Sequence, residues 1–434
     1  MVKNVRIPYG KNDFLNLKVP VKNLIGIYSA KEGIPIVIEK EKETIEKVFN
    51  NPIGTKPLAE MAKNKKNAMI AITDASRPNI ERKVLPILFS HLLKGGMDKK
   101  HIKIMVGVGS HRPAYEKEID EMLGPLKGEI EVINHSAFTS EMKNYGKSSL
   151  GYTFEINRLF AESDLKIVLG TVLPHPFAGF SGGGKMISVG IASASAIAST
   201  HTPDMLDHPN ASWGWIEGNP FYLNSTEQAE RVGVDFLINA VMDEDGSLFH
   251  ISAGKAKEAQ LACIAKAKDL FEVHIPEKAD IIVVSSGYPK DSNLYHVSAM
   301  AICAVASSAV KYPPIKEKGT IIVASPMQDG VYNQVFYNTL KEAEDSAEVL
   351  SKVRSIPMSE LEPGHHRAYG VAQVLNQYKV IIAQSKLSSD IIKSVHMEYN
   401  SSLQNAFDIA LKEYKERARV VVLLSSHRMI VKCE

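Results

Sequence analysis

Residues 166–185 read Lys-Ile-Val-Leu-Gly-Thr-Val-Leu-Pro-His-Pro-Phe-Ala-Gly-Phe-Ser-Gly-Gly-Gly-Lys. A short apolar run, Lys166 to Thr171, gives way to a histidine, a glycine-rich turn and a lysine. The same grammar recurs along the chain. Runs rich in Ile and Val at Ala68 to Thr73, Ile102 to Val108, Ile281 to Ser285, Thr320 to Ala324, Val380 to Ala383 and Val420 to Leu424 are each followed by Gly, Ser, Asp or His. Between them lie amphipathic stretches. Arg82 to Leu93 carries Val84, Leu85, Leu88, Leu92 and Leu93 at helical spacing, and Ser402 to Arg417 carries Leu403, Ala406, Phe407, Ala410 and Leu411. Short strands alternating with helices predict an α/β protein built of βα units rather than hairpins. One hairpin is expected, in Asp235 to Ser252, around Asp243-Glu-Asp-Gly. The Lys/Ala-rich stretch Ala253 to Lys278 ends in His274-Ile-Pro-Glu-Lys before a β-run restarts, which predicts two α/β domains, 1–272 and 273–434, with mainly parallel sheets and the active site in the cleft between them.

Composition bounds the function. The 434 residues include 51 Lys+Arg and 49 Asp+Glu, a net charge of +2, which argues against a dedicated nucleic-acid or polybasic membrane binder. Hydrophobic residues at 44% and charged residues at 23% are those of a soluble globular protein with substantial cores. Cys263, Cys303 and Cys433 are too scattered for a disulfide framework or a Cys-x-x-Cys metal site, so a reducing compartment is expected. Met1 to Pro8 lacks the apolar core of a signal peptide, and no run approaches the ~18 to 20 apolar residues of a membrane span. The expected location is cytoplasmic, and the expected partners are small molecules.

In open α/β sheets, ligands bind beyond the carboxyl ends of the strands. After Ala68 to Thr73 comes Asp74-Ala-Ser-Arg77-Pro78; after Ile102 to Val108, Gly109-Ser-His111-Arg112; after Lys166 to Thr171, Val172-Leu-Pro-His175. An acid, two arginines and two histidines thus fall on one expected rim. Gly179 to Lys185 formally matches the G-x-x-x-x-G-K of a phosphate-binding loop. Met186, however, stands where Ser or Thr would hold Mg²⁺, and the β-run ends before the first glycine. What remains is a turn, Ser181, Gly182, Gly183 and Gly184, able to bring backbone close to an anionic group, with Lys185 at its end. His201 follows sixteen positions later. On one straight helix the two would lie about 24 Å apart, but Gly190 and the small-residue run Ala192 to Ser199 allow the chain to return to the rim. Histidines gathered around a cavity suit either a metal or proton transfer. The second domain offers a further loop after a strand, Ser285-Ser-Gly287-Tyr-Pro-Lys-Asp-Ser-Asn-Leu-Tyr295-His296.

Taken in order, Asp74-x-x-Arg77-Pro78, Gly109-Ser-His111-Arg112, His175-Pro-Phe-Ala-Gly-Phe-Ser-Gly-Gly-Gly-Lys185, His201 and Gly287-Tyr-Pro-Lys-Asp-x-Asn-Leu-Tyr295 resemble the nickel-pincer-nucleotide lactate racemase family. The resemblance implies a pyridine-derived mononucleotide that holds nickel through sulfur, carbon and sulfur, covalently joined to Lys185 and made by cofactor-synthesis proteins. His201 would be the protein's nickel ligand, and His111 and His175 the acid/base pair. The implied reaction is inversion of a 2-hydroxy acid by reversible hydride transfer through a 2-oxo acid. Arg77 would bind the substrate carboxylate, with Asp74 orienting it.

The chain also departs from that family. Tyr295-His296-Val-Ser-Ala299 replaces a Tyr-Gln followed three positions later by Lys, and Ala178 stands where a serine can contact the cofactor. The region of the family's substrate-pocket tryptophan corresponds to about Gly364-His365-His366-Arg367-Ala-Tyr369. These changes predict a 2-hydroxy acid larger or more polar than lactate, such as a dicarboxylic or sugar acid, with Tyr295, His296, His366 and Arg367 as candidate contacts. Two alternatives use the same residues: a non-catalytic binding or sensor protein, and a zinc- or nicotinamide-dependent enzyme.

Overall fold

The structure, a computed structural model, describes every residue except Ser76, Glu244, Ser308, Ala309, Lys415, Glu416 and Glu434. Two six-stranded sheets organise the chain. The first runs Leu248–Gly254, Phe236–Met242, Leu165–Thr171, Ala68–Thr73, Ile102–Gly107, Glu131–Asn134 in spatial order. All its pairings are parallel except that of the hairpin Phe236–Met242 with Leu248–Gly254. The expected hairpin is therefore present, though Glu244 at its turn lies outside the described residues. Parallel strands need helices on both faces. Helix Glu81–Lys94 buries Val84, Leu85, Leu88 and Leu92 against Ile70, Ile104 and Ile238 of the sheet.

The second sheet is wholly parallel and runs Glu398–Asn400, Lys379–Ala383, Ile315–Ala324, Ala279–Val284, Val420–Leu423, Leu24–Tyr28. Its last strand comes from the N-terminus. Residues 1–28, which the sequence assigned to the first domain, belong by hydrogen bonding and packing to the second sheet. Leu24 to Tyr28 pairs with Val420 to Leu423, and the hairpin Val2–Tyr9/Asp13–Pro20 buries Val5, Ile7, Leu17 and Val19 against Ile281, Val283, Val420 and Val422. Helix Leu403–Glu413 packs there too, begun by the Ser402 side chain as its cap. Lys415 and Glu416, within the longer helix expected to Arg417, lie outside the described residues.

Each sheet reverses its strand order once. In the first the reversal lies between Ala68–Thr73 and Leu165–Thr171, and in the second between Ala279–Val284 and Val420–Leu423. Loops leaving adjacent strands in opposite directions open a crevice at such a point. The lobes meet across these ends. One apolar cluster joins Phe177, Ala178, Met205 and Phe221 to Leu294, Val297 and Tyr369. Trp213 Nε1 donates to the Met429 carbonyl at 2.7 Å, and Asp207 accepts from Tyr369 and Gln373 and pairs with Arg354. Among the described residues, no helix is long and apolar enough to cross a membrane.

Candidate active site

The turn after Ala68–Thr73 carries Asp74 and that after Ile102–Gly107 carries His111, and the adjacency of the two strands brings them together. His111 Nδ1 lies 2.6 Å from Asp74 Oδ2. A carboxylate accepts only, so this nitrogen bears the hydrogen and Nε2 is left with its lone pair. The backbone holds the turn: His111 N–H donates to the Val108 carbonyl at 2.9 Å and Gly109 N–H to that of Gly190 at 2.8 Å. Arg112, expected on the same rim, is instead drawn to Glu118 at 2.6 Å and over the Tyr115 ring.

Glu81 is a residue the sequence did not single out. It opens helix Glu81–Lys94, is 2% exposed, and accepts from Thr73 Oγ1 at 2.8 Å and Thr73 N–H at 3.3 Å. Burial drives its carboxyl up to about 7, against the hydrogen bonds from Thr73. In sequence it reads as an ordinary acid in a first helical turn, and only burial distinguishes it.

The glycine turn is shaped by the protein around it. Ser181 Oγ donates to the Thr171 carbonyl at 2.8 Å and accepts from Leu173 N–H at 2.9 Å. Gly183 N–H donates to Asn239 Oδ1 at 2.9 Å. A Cβ on Gly183, whose φ is +55°, would come within 2.0 Å of Gln260, and one on Gly184 within 2.1 Å of the Ser225 carbonyl oxygen. The close approach expected toward an anion is, for these groups, an approach to neighbouring protein. Its product is the placement of Lys185. Burial first, then the charges of Arg77 and Arg367, hold this amine well below the usual lysine range. A small cavity beside it is lined by Ala178, Phe180, Gly182, Tyr222, Ser225 and Gln260.

The chain does turn back after Gly190. A π-type turn, Met186–Gly190, precedes helix Ala194–Thr200, whose first turn is capped by Ser193. His201 caps its far end, and Lys185 Nζ at 5.9 Å and the His201 ring at 5.3 Å approach one ring, that of Phe221. His201 Nδ1 lies 2.8 Å from the Ile197 carbonyl, which fixes the hydrogen on Nδ1 and leaves Nε2 as a donor atom. Burial pulls its pKa down to about 4. His175 is tied the other way: its Nδ1 accepts from the N–H groups of Phe177 and Ala178, both at 3.3 Å, so its hydrogen sits on Nε2. Burial, with Lys185 next, holds His175 well below the ordinary histidine range.

The second lobe closes the site. The His366 ring is 5.0 Å from that of His201 and 6.1 Å from Phe177. Arg367 lies over Tyr295 at 5.1 Å, and its buried Nε and Nη1 have no partner among the described residues. His296 accepts at Nδ1 from Asn293 Nδ2 at 3.1 Å and is pushed down to about 3 by burial and then by Lys290, Arg367, His111 and Arg77. Tyr332, which the sequence reading passed over, is exposed with a φ of +69° and stands 5.0 Å from His296 and 6.0 Å from Tyr295, ring to ring.

Asp74, Arg77, His111, His175, Lys185, His201, His296, His366 and Arg367 therefore share one electrostatic neighbourhood at the junction of the lobes. The donor set fits a nickel-bearing nucleotide joined to the chain. His201 offers a free imidazole nitrogen, Lys185 an amine held well below the usual lysine range, and no group of three or more His, Cys, Asp or Glu side chains among the described residues forms a metal site by itself. Residues 9–214 match the family model for the lactate racemase N-terminal domain, and residues 275–431 that for the lactate racemase C-terminal domain. The lactate racemase of Thermoanaerobacterium thermosaccharolyticum is 30% identical over 432 residues, 99% of each chain. That of Lactiplantibacillus plantarum is 32% identical over 394 residues, 90% of this chain and 91% of its own. The structure of the Thermoanaerobacterium apoprotein aligns with a TM-score of 0.89 over 99% of this chain and 100% of that one, at 30% identity.

Proposed function

Because the chain belongs to the lactate racemase family, we propose that it is a racemase or epimerase inverting the C2 carbinol of a 2-hydroxy acid. The observation that carries the reading is the pair of histidines held in opposite tautomers, with a buried lysine whose basicity is lowered in the same electrostatic neighbourhood. In this reading Lys185 and His201 would hold a nickel-pincer nucleotide, and the chemistry that group would supply there is reversible acceptance of a hydride. The chain's own residues do the rest. The Nε2 lone pair of His111 takes the hydroxyl proton as the C2 oxygen becomes a carbonyl, and the Asp74 carboxylate stabilises the imidazolium that results. When the 2-oxo acid has turned its other face, the Nε2–H of His175 hydrogen-bonds that oxygen as it recovers a proton, and the His111 imidazolium gives up the proton it took, so that both rings end neutral. Two acid/base groups suit an inverting reaction, since each enantiomer presents its O–H in a different direction. Arg77 binds the carboxylate as a charged fork. His296 and Ala299 support a substrate other than lactate.

Coexpression with the cofactor-making proteins tests the assignment. Intact mass should show an adduct on Lys185, with nickel. His201→Ala should lose the nickel, whereas His111→Ala and His175→Ala should keep it and lose turnover by about 10²- to 10⁴-fold. An unmodified wild-type chain, or nickel retained in full by His201→Ala, would overturn it.

A further inference from the structure

Arg367 is a partly buried cation of the site that, like Arg77, forms no ion pair among the described residues, and two of its nitrogens are buried without a partner. It projects from the first turn of helix His365–Leu375. That helix starts at Gly364, where φ is +130° and a Cβ would lie 2.5 Å from Asn333 Oδ1, and Asn333 Nδ2 donates to the Pro363 carbonyl at 3.2 Å. The helix start is thus fixed, and with it the root of the arginine. The guanidinium lies over the Tyr295 ring, with Nε and Nη1 buried and unpartnered. The nearby acids are engaged elsewhere: Asp74 by His111, and Asp207 by Arg354, Tyr369 and Gln373. Among the described residues no carboxylate forms an ion pair with Arg77 or with Arg367. Both guanidiniums act on Lys185, His175 and His296, after the burial that is the larger cause of their lowered basicity. The interior field of the site is positive, and Arg77 and Arg367 both contribute to it beside Lys185 and Lys290.

Guanidinium nitrogens buried without a partner, as Nε and Nη1 are here, lose their hydration and gain nothing in return. The guanidinium's planar fork of N–H donors matches a carboxylate. A single carboxylate bound at Arg77 leaves Arg367 unsatisfied. A hydroxyl of a sugar acid could accept one N–H but would leave the charge uncancelled. We propose that Arg367 is the anchor for a second carboxylate, so that the substrate class is the 2-hydroxy dicarboxylic acids rather than 2-hydroxy monocarboxylic or sugar acids. The inference rests on the racemase reading above and narrows it.

The test uses the nickel-loaded chain with lactate, malate and gluconate, followed by chiral chromatography. kcat/KM for malate should exceed those for lactate and gluconate by at least about tenfold, the value of one lost charge-assisted contact. In Arg367→Met, which keeps length and removes the fork, the malate-to-lactate ratio of kcat/KM should fall at least about tenfold, with nickel content and the Lys185 adduct unchanged. Arg367→Lys, which keeps the charge but not the paired geometry, should fall between. Lactate or gluconate as the better substrate of the wild-type chain overturns the second-carboxylate assignment alone. An unchanged ratio in Arg367→Met also overturns it, as does loss of nickel or adduct there, because Arg367 would then serve the cofactor. Inversion of no 2-hydroxy acid at all overturns the racemase reading with it.

Discussion

Histidines that look interchangeable in the sequence are set apart by what meets Nδ1 of each ring. A carboxylate at Nδ1 makes His111 an acceptor at Nε2, and backbone N–H groups at Nδ1 make His175 a donor there. A backbone carbonyl at Nδ1 leaves His201 a free Nε2. The strand-end positions of these residues are legible because the apolar runs that precede them are, but their protonation is not, because the partners are remote in sequence; Asp74 is 37 positions from His111. Glu81 illustrates the same limit. Its carboxyl is raised from 4.5 to about 7, so the folded chain holds this proton more tightly than the unfolded chain. The stability that follows is present in full below about pH 4.5 and is lost as pH rises through about 7. Glu81→Gln removes the charge while keeping an oxygen for Thr73. The difference in melting temperature between variant and wild type should therefore grow in the variant's favour from pH 5 to pH 8, by an amount corresponding to about 1–3 kcal/mol. A difference independent of pH would show that Glu81 ionises normally.

At the scale of elements, the turn 181–185 shows a motif read correctly in place and differently in purpose. Three glycines before a lysine suggest backbone offered to an anion, yet Gly183 and Gly184 are required by Gln260 and by the Ser225 carbonyl. Both neighbours come from distant helices, Ala256–Phe271 and Pro220–Val232, whose approach no local pattern announces. Gly184→Ala should overpack this contact, at a cost of about 1–3 kcal/mol, and displace Lys185. The expected result is a lower melting temperature together with a reduced fraction of Lys185 adduct by intact mass. A fully modified, equally stable variant would contradict the placement role. Other elements were legible nearly to the residue. Ala68–Thr73 follows its apolar run because the strand is buried along nearly its whole length, and helix Glu81–Lys94 follows its helical spacing because it packs its apolar residues on the sheet. Leu24–Tyr28 was missed because it is a short edge strand, interrupted by Gly26 and only partly buried throughout.

At the scale of the molecule, that missed strand matters most, since it makes the second sheet depend on the first 28 residues. Val5, Ile7, Leu17 and Val19 are each no more than 3% exposed. Burying such a side chain is worth about 1.5–3 kcal/mol, so the four together rival the entire net stability of a typical domain, about 5–15 kcal/mol. Deleting residues 1–28 should give insoluble protein or a melting temperature lower by more than about 10 °C, measured by thermal denaturation; an unchanged transition would show the hairpin to be dispensable. The sequence by itself determined the βα grammar, the chemistry at each strand end and the order of the motifs that resemble a known family. These are local quantities, set by periodicity and spacing over a few residues. Only the tertiary structure decided which ring nitrogen is free, which guanidinium nitrogens are buried without a partner among the described residues, and that the N-terminus completes the far sheet. Each depends on burial and on partners far along the chain, as when Gly10 N–H meets Asp291 across 281 positions, and desolvation acts through space rather than along the sequence.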